Sequence, residues 1–289
     1  LNRRVSGPRL GHAFSVHGLS GNIGWALAPL FLAGIAAATG SWRLAAASAS
    51  LVALGVLVLT LLQRADLEDR GDGADSAGAP GRGASAPAGE HALAFLRLPS
   101  VWLCFLFFFW TSAALGAVQS FAGPALQALQ GVPATAASLV VSGFMGCGAL
   151  GMIVGGFLAP RAERLERVIS AALVWAGAML LLAGSGWAGP TGSLIAASIA
   201  GFGTGLAGPS RDLLIKQAAP AGATGRVYGT VYSGLDLGFA VAAPVWGWLM
   251  DHGHPAGVFH GAGLALVFSV LSASLVGARV ARARATAAA

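Results

Sequence analysis

The stretch from Val101 to Gln130, VWLCFLFFFWTSAALGAVQSFAGPALQALQ, contains no charged residue. A helix needs about 20 predominantly apolar residues to cross the hydrocarbon core of a bilayer, and this stretch is longer than that. The strands of a membrane barrel would instead be short and would alternate apolar with polar residues. Because the stretch is continuous and rich in Ala, Leu and Phe, it predicts a transmembrane helix.

The composition of the whole chain agrees with this prediction. Hydrophobic residues make up 56% and charged residues 10% of the 289 residues, and the mean hydropathy is +0.73, whereas a soluble domain carries about 25% charged residues. No water-soluble core could bury this much apolar surface, so we expect an all-α membrane protein with about eight transmembrane helices. The expected spans are residues 13–38, 44–63, 100–129, 135–158, 168–187, 192–214, 227–250 and 258–278.

The positively charged residues are expected to mark one face of the membrane. Cytoplasmic loops carry an excess of Lys and Arg, because positively charged loops resist translocation. If every expected span crosses once, all of the 17 Lys and Arg residues except Arg43 fall on the same side. This alternation predicts a multi-pass protein of the plasma (inner) membrane with both termini in the cytoplasm. It also explains the net charge of +6 without a nucleic-acid partner.

Residues 64–98 differ from the rest of the chain in composition. The sequence RADLEDRGDGADSAGAPGRGASAPAGE, which begins at Arg64, is rich in acidic residues, Gly, Ser and Pro and has few large apolar side chains. Such a composition predicts a flexible cytoplasmic linker, whose acidic residues most simply keep it soluble. The linker divides the chain into residues 1–63, with two spans, and residues 99–289, with six spans and a short basic tail.

Two of the expected spans share a short motif. NIGWALAP (Asn22–Pro29) is similar to DLGFAVAAP (Asp236–Pro244). The first residues of the two copies align, as do Gly24 and Gly238, and a proline follows in each copy. Because many transporters are built from structural repeats, this internal similarity favours a transporter.

Further short motifs resemble those of a known transporter family. They are GWALAPLFLAG (Gly24–Gly34), GSWR (Gly40–Arg43), GGFLAPRAERLER (Gly155–Arg167), GPSRDLLIK (Gly208–Lys216) and GWLMD (Gly247–Asp251). They resemble motifs of the major facilitator superfamily. The first two resemble the fifth-helix motif of its proton-driven exporters and the turn before helix six. The last three resemble the signature loop between helices eight and nine, the loop after helix ten and the end of helix eleven. The chain therefore resembles helices five to twelve of a twelve-helix member, with the N-terminal part missing.

The resemblance implies a partial fold of that superfamily. Two helices would belong to a first bundle, and a complete six-helix second bundle would follow the linker. One departure is Pro160, which stands where the signature loop usually has an Asp. The charge pairing of that loop is therefore expected to be incomplete.

Asp236 is the residue for which the sequence most strongly indicates a chemical role. It lies near the middle of the expected span 227–250, where an ionised carboxylate costs a few kcal/mol. We therefore expect it to face the bundle interior or water, and we predict that it couples transport to protons by being neutral in one state and ionised in the other. The alternative is a structural carboxylic acid capped by a hydroxyl of Tyr232 or Ser233.

The resemblance also implies which helices line a central substrate cavity, namely helices seven and ten. A Gly-Pro pair in helix seven, Gly123 and Pro124, is expected to kink that helix. The alternative to cavity contacts is that the aromatic side chains pack or face lipid and that the hydroxyls bond their own helix. The substrate-cavity candidates are Trp110, Gln119, Ser120, Ser198 and Thr204.

A charged turn at Arg161, Glu163 and Arg164 is interpreted as a cytoplasmic latch, whose ion pairs would stabilise one access state. Arg211 and Asp212 are interpreted as a second such pair. The alternative is that these charges only determine the topology. The positions interpreted as helix-packing or hinge residues are Asn22, Gly24, Pro29, Gly123, Pro124, Gly238 and Pro244.

Other residues that could bear chemistry are better explained by packing or solvation. Gly143, Gly151 and Gly155 are small residues at helical spacing, which lets helix backbones approach closely. His252 and His254 lie in one short loop without a third ligand nearby, and the two cysteines lie inside expected spans. We therefore predict no metal site, no disulfide and no cofactor.

Together these features predict a secondary active transporter that moves a small organic molecule across the inner membrane by alternating access. Proton-coupled efflux by an antiporter is favoured, because of the exporter-like motif in the first span. The alternatives are an importer of a sugar or organic anion, and a truncated membrane protein that does not transport. The expected partners are the lipid bilayer, a small-molecule substrate and protons, and no oligomer is implied. No clustered catalytic set indicates an enzyme.

Overall fold

The computed structural model describes residues 7–64, 97–218 and 224–288, and these ranges are almost entirely helical. No strand occurs within them, so the predicted all-α fold is confirmed. The helices are α1 (Gly7–Thr39), α2 (Trp42–Leu62), α3 (Pro99–Gly116), a π-helical segment (Ala117–Phe121), α4 (Ala122–Gln130), α5 (Ala134–Leu158), α6 (Leu165–Ser185), α7 (Gly189–Ala218), α8 (Thr224–Asp251) and α9 (Pro255–Ala288).

Six segments of the described chain are long and apolar enough to cross a membrane. α3, the π segment and α4 form one of these segments, so the described ranges hold eight long helices, one for each predicted span. α8, which carries Asp236, is about 42 Å long at 1.5 Å per residue, enough to cross a bilayer. The six segments are Trp42–Leu62, Pro99–Gln130, Ala134–Arg161, Leu165–Ser185, Gly189–Ile215 and Pro255–Arg282.

Helices α3 to α9 belong to one compact unit, and α2 belongs to another. In α2, the hydroxyls of Ser48, Ser50 and Thr60 donate hydrogen bonds to backbone carbonyls four residues earlier, which satisfies these polar groups within an apolar helix. The linker predicted at residues 64–98 falls almost wholly outside the described residues. The predicted domain division therefore stays a prediction.

The unit formed by α3 to α9 is a helical bundle. α7 packs between α5 and α6, α9 packs between α6 and α3, and α8 packs on α3. The order around the bundle is therefore α5, α7, α6, α9, α3 and α8. α4, which continues α3 beyond the π segment, packs on α5 and closes the ring at that end.

The contact between α5 and α7 depends on glycines of both helices. A Cβ atom built on Gly151 would overlap the carbonyl oxygen of Phe202, and one built on Gly201 would overlap that of Phe144. Other glycines of the two helices lie equally close to the facing backbone. Only small residues permit such an approach, so this contact fixes the position of α7 in the bundle.

α8 lies along α3 through one narrow face. A Cβ atom built on Gly234 or Gly238 would overlap the backbone of α3, and Trp246 donates a hydrogen bond from Nε1 to the carbonyl of Ala113 over 3.1 Å. These residues recur every three to four positions and so share one side of the helix. Asp236 lies on the opposite side of α8, pointing away from α3.

The basic residues of the bundle lie at one end of it. Gly151 and Gly155 of α5 lie beside Phe202 and Leu206 of α7 in the same order, so these helices run parallel, whereas Gly277 near the end of α9 lies beside Glu166 at the start of α6. Consecutive helices therefore alternate in direction, as the topology prediction requires. The end where these residues meet is named the basic end, and it carries Arg97, Arg161, Arg164, Arg167, Arg211, Arg279 and Arg282.

Candidate functional site

Helices α3, α7 and α8 meet at a cluster of charged and aromatic side chains. Nε of Arg211 on α7 donates to Oδ1 of Asp212 over 2.9 Å, and the guanidinium carbon lies 4.9 Å from the centre of the Phe108 ring on α3. The Phe108 ring in turn lies 5.0 Å from the ring of Tyr232 on α8. These four residues are named the arginine cluster.

The arginine cluster lies inside the bundle rather than in a loop. Phe108 is about 14 Å along α3 from its first residue, and Tyr232 is about 12 Å along α8 from its first residue, at 1.5 Å per residue. Phe108 is 1% exposed, and the Arg211 side chain is 27% exposed. Both the Asp212 carboxylate and the face of the Phe108 ring stabilise the cation where it enters the bundle from the basic end, because each attracts it.

Asp236 extends the arginine cluster along α8. It follows Tyr232 by one helical turn, so the two Cβ atoms are about 5–6 Å apart. Asp236 is exposed, and within the described residues it forms no hydrogen bond or ion pair. Ser233, one of its possible capping partners, instead donates its hydroxyl to the carbonyl of Thr230. The carboxylate is thus accessible, one turn beyond the Tyr232 ring on α8.

The π segment between α3 and α4 carries two of the predicted cavity residues, Gln119 and Ser120. Pro124 has no N–H to donate to the carbonyl of Ser120, and its ring crowds that carbonyl, which accounts for irregular helix on the N-terminal side of the proline. Gln119 is half-buried and Ser120 is exposed, and neither side chain has a hydrogen-bond partner among the residues described. Single π turns inside α-helices are frequent at functional sites.

The other predicted cavity residues form contacts with their own or neighbouring helices. The Trp110 ring lies 4.8 Å from that of Phe268 on α9. Ser198 donates its hydroxyl to the carbonyl of Leu194, and Thr204 donates to that of Gly201. The structure does not bring these three residues to the arginine cluster.

The predicted latch residues between α5 and α6 lie apart from the cluster. Nη1 of Arg161 donates to the carbonyl of Phe157 over 2.8 Å, while Glu163 and Arg164 are exposed. In the part of the chain that the structure describes, Arg211–Asp212 is an ion pair and these three residues form none. A latch at this turn stays a prediction.

The predicted hinge and packing residues occupy different environments. A Cβ atom on Gly123 would lie 3.2 Å from the carbonyl oxygen of Ala137 on α5, whereas the space around Gly24 is open. Pro29 lies within α1 and Pro244 within α8. The side chain of Asn22 lies outside the described residues.

Sequence reasoning missed the inward position of Arg211. The motif GPSRDLLIK was interpreted as a loop, but α7 continues to Ala218. The signal was present in the three apolar residues Leu213, Leu214 and Ile215, which follow the charged pair and indicate that the helix extends beyond it. Phe108 and Tyr232 could not be identified as its ring partners, since they lie on two other helices.

The family model described as Major Facilitator Superfamily matches residues 113–288. The chain belongs to the Major Facilitator Superfamily. Searches for similar curated proteins and for similar solved structures returned no match. Members of the superfamily are transporters rather than enzymes, and with the six apolar segments the match shows a multi-pass membrane protein. The resemblance predicted from short motifs is confirmed.

The Major Facilitator Superfamily match begins near the end of α3 and continues through α9. It therefore includes the π segment, the Arg211–Asp212 pair and Asp236. Phe108, the ring on which Arg211 stacks, lies just before the matched residues. Most of the site therefore lies in the part of the chain that matches the superfamily model.

Proposed function

We propose that this protein moves a small organic molecule across the inner membrane by alternating access and couples that movement to protons, in the direction of efflux. The observation that carries the proposal is the position of Asp236. It is an exposed carboxylate near the middle of a bundle helix, one turn from Tyr232 and the arginine cluster. An ionised acid near the middle of a membrane helix is costly unless it faces water or a partner, so its presence there favours a role in proton coupling.

Proton coupling requires a group whose charge differs between the two access states. In this proposal an ionised Asp236 competes with Asp212 for the guanidinium of Arg211, because an opposite charge attracts the cation. A neutral Asp236 leaves Arg211 with Asp212 and Phe108. Protonation of Asp236 therefore changes how strongly α7 and α8 attract each other.

The proposed substrate contacts are Gln119 and Ser120 of the π segment. The Gln119 amide is half-buried and has both hydrogen-bond donors and an acceptor to offer, and pocket specificity generally comes from a few such polar groups. Trp110, Ser198 and Thr204 support the cavity wall through the contacts described above. The pair Arg211–Asp212 acts in this proposal as the latch, together with the turn at residues 161–164.

The proposal is tested in everted membrane vesicles from cells that express the full-length gene. A panel of small organic molecules is added to acid-loaded vesicles, and release of protons is recorded with a pH-sensitive dye. We expect Asp236→Asn to abolish substrate-driven proton release while the amount of protein in the membrane is unchanged. Asp251→Asn, at the exposed end of the same helix, is the matched control and should behave as the wild type. Unchanged proton release by Asp236→Asn would remove Asp236 from this role.

Import of an organic anion is the second candidate, and a different observation favours it. The cavity candidates from the sequence include no cation, but the Arg211 guanidinium carbon lies 4.9 Å from the centre of the buried Phe108 ring. A guanidinium binds carboxylates in a two-pronged geometry, so a carboxylate substrate would compete with Asp212 for it. Proton-driven accumulation of organic anions in right-side-out vesicles, with no response in everted vesicles, would favour this candidate over efflux.

A further inference from the structure

A groove at the basic end lies between the start of α3 and the end of α9, away from the arginine cluster. Its volume is about 410 Å³, within the range of about 300–1,000 Å³ that is typical of small-molecule sites. It is lined by Arg97, Pro99, Trp102, Leu103, Leu106, Leu275 and Arg279.

The groove changes from charged to apolar along its length. Arg97 precedes the first residue of α3, and Arg279 lies near the end of the segment of α9 that is apolar enough to cross a membrane. About one to two and a half turns deeper are Trp102, Leu106 and Leu275, whose side chains are exposed. This order matches a phospholipid, whose charged headgroup lies above its acyl chains, and tryptophan is enriched at that level of a membrane.

The charges of the groove favour an anion. Within the described residues, neither Arg97 nor Arg279 pairs with a carboxylate. Glu166 of α6 lies against Gly277 of α9, on a side of the helix different from that of Arg279. Two guanidinium groups can hold a phosphate by paired hydrogen bonds, and basic pockets between helices at the cytoplasmic side recognise lipid headgroups.

We propose that this groove binds the headgroup of an anionic phospholipid, with Arg97 and Arg279 on the phosphate and the exposed face of Trp102, Leu106 and Leu275 against an acyl chain. The bound lipid ties α3 to α9 at the basic end. The proposal does not depend on the direction or the substrate of transport.

The test uses the purified full-length protein in nanodiscs that contain brominated phosphatidylglycerol or brominated phosphatidylcholine. Quenching of Trp102 is obtained as the difference between the wild type and Trp102→Phe. We expect stronger quenching by phosphatidylglycerol, and a titration midpoint that rises about fivefold for each arginine replaced by glutamine in Arg97→Gln and Arg279→Gln. The matched control is the double variant Arg161→Gln, Arg164→Gln, which removes the same charge from the same end of the bundle outside the groove. Elution as a monodisperse species shows that each variant is folded.

Three outcomes would overturn the proposal. The first is equal quenching by the two lipids in the wild type. The second is an equal rise of the titration midpoint in the groove variants and the control variant, which would show that the effect depends only on net charge. The third is displacement of phosphatidylglycerol by millimolar inorganic phosphate, which would identify a phosphate site rather than a lipid site.

Discussion

At the scale of single residues, the contact between Arg211 and Phe108 is the most informative one in the bundle, because it joins a charge to a fully buried ring. We expect a double-mutant cycle of Arg211→Lys and Phe108→Leu to show a coupling of about 0.5–2 kcal/mol in the free energy of unfolding, since lysine keeps the charge but loses the planar stacking and leucine removes the ring. The measurement is denaturant unfolding of the detergent-purified protein.

The turn between α5 and α6 offers a matched control for this cycle. Arg161 bonds the backbone carbonyl of Phe157 rather than its ring, so Arg161→Lys and Phe157→Leu should be additive. Additive effects of Arg211→Lys and Phe108→Leu as well would show that the stacked geometry does not contribute to stability.

Residue types could be predicted from the sequence better than residue partners. Asp236 was recognisable because an acid within a long apolar run is costly wherever the helix is placed. The contact of Tyr232, one turn before it, with Phe108 and hence with the arginine cluster was not recognisable, since this depends on how α7 and α8 are placed around α3. Hydroxyl groups such as those of Ser198 and Thr204 carry little positional information, because either a substrate or their own helix can satisfy them.

At the scale of elements, the glycines between α5 and α7 give an expectation with a control in the facing helix. Gly201→Ala should lower the melting temperature, because its Cβ would overlap the backbone of Phe144 and overpacking costs about 1–3 kcal/mol. Gly146→Ala has no atom within 4 Å of the new Cβ and should be neutral or stabilising, since alanine favours a helix over glycine by about 1 kcal/mol. Equal melting temperatures for the two variants would contradict the close packing of these helices.

The presence of the helices could be predicted directly from the length of the apolar runs, whereas the π segment could not. The pair Gly123–Pro124 predicted a kink, and a π segment lies immediately before it at Ala117–Phe121. Proline removes the hydrogen bond to the residue four positions earlier, so the disturbance falls on its N-terminal side. The sequence cannot determine whether the helix responds by bending or by adding a residue to one turn, since this depends on how α4 packs against α5.

At the scale of the whole molecule, the charges and the fold lead to the same topology by independent arguments. The arginines between the apolar runs indicate this topology from the sequence. The helix ends that lie side by side at the basic end indicate it from the packing. The packing of the helices says nothing about the linker, whose predicted side of the membrane therefore provides a separate test of the assignment.

Single-cysteine labelling measures that side directly. In a Cys104→Ala, Cys147→Ala background, we expect Ser76→Cys in the linker and Glu163→Cys at the basic end to react with a membrane-impermeant maleimide in everted vesicles but not in intact cells. His254→Cys, in the exposed turn between α8 and α9, should show the reverse, because a helix that crosses the membrane puts its two ends on opposite faces. Labelling of the Ser76→Cys and Glu163→Cys variants from opposite faces would mean that an odd number of crossings separates them, and neither the eight-span topology nor the proposed depth of Asp236 would then hold.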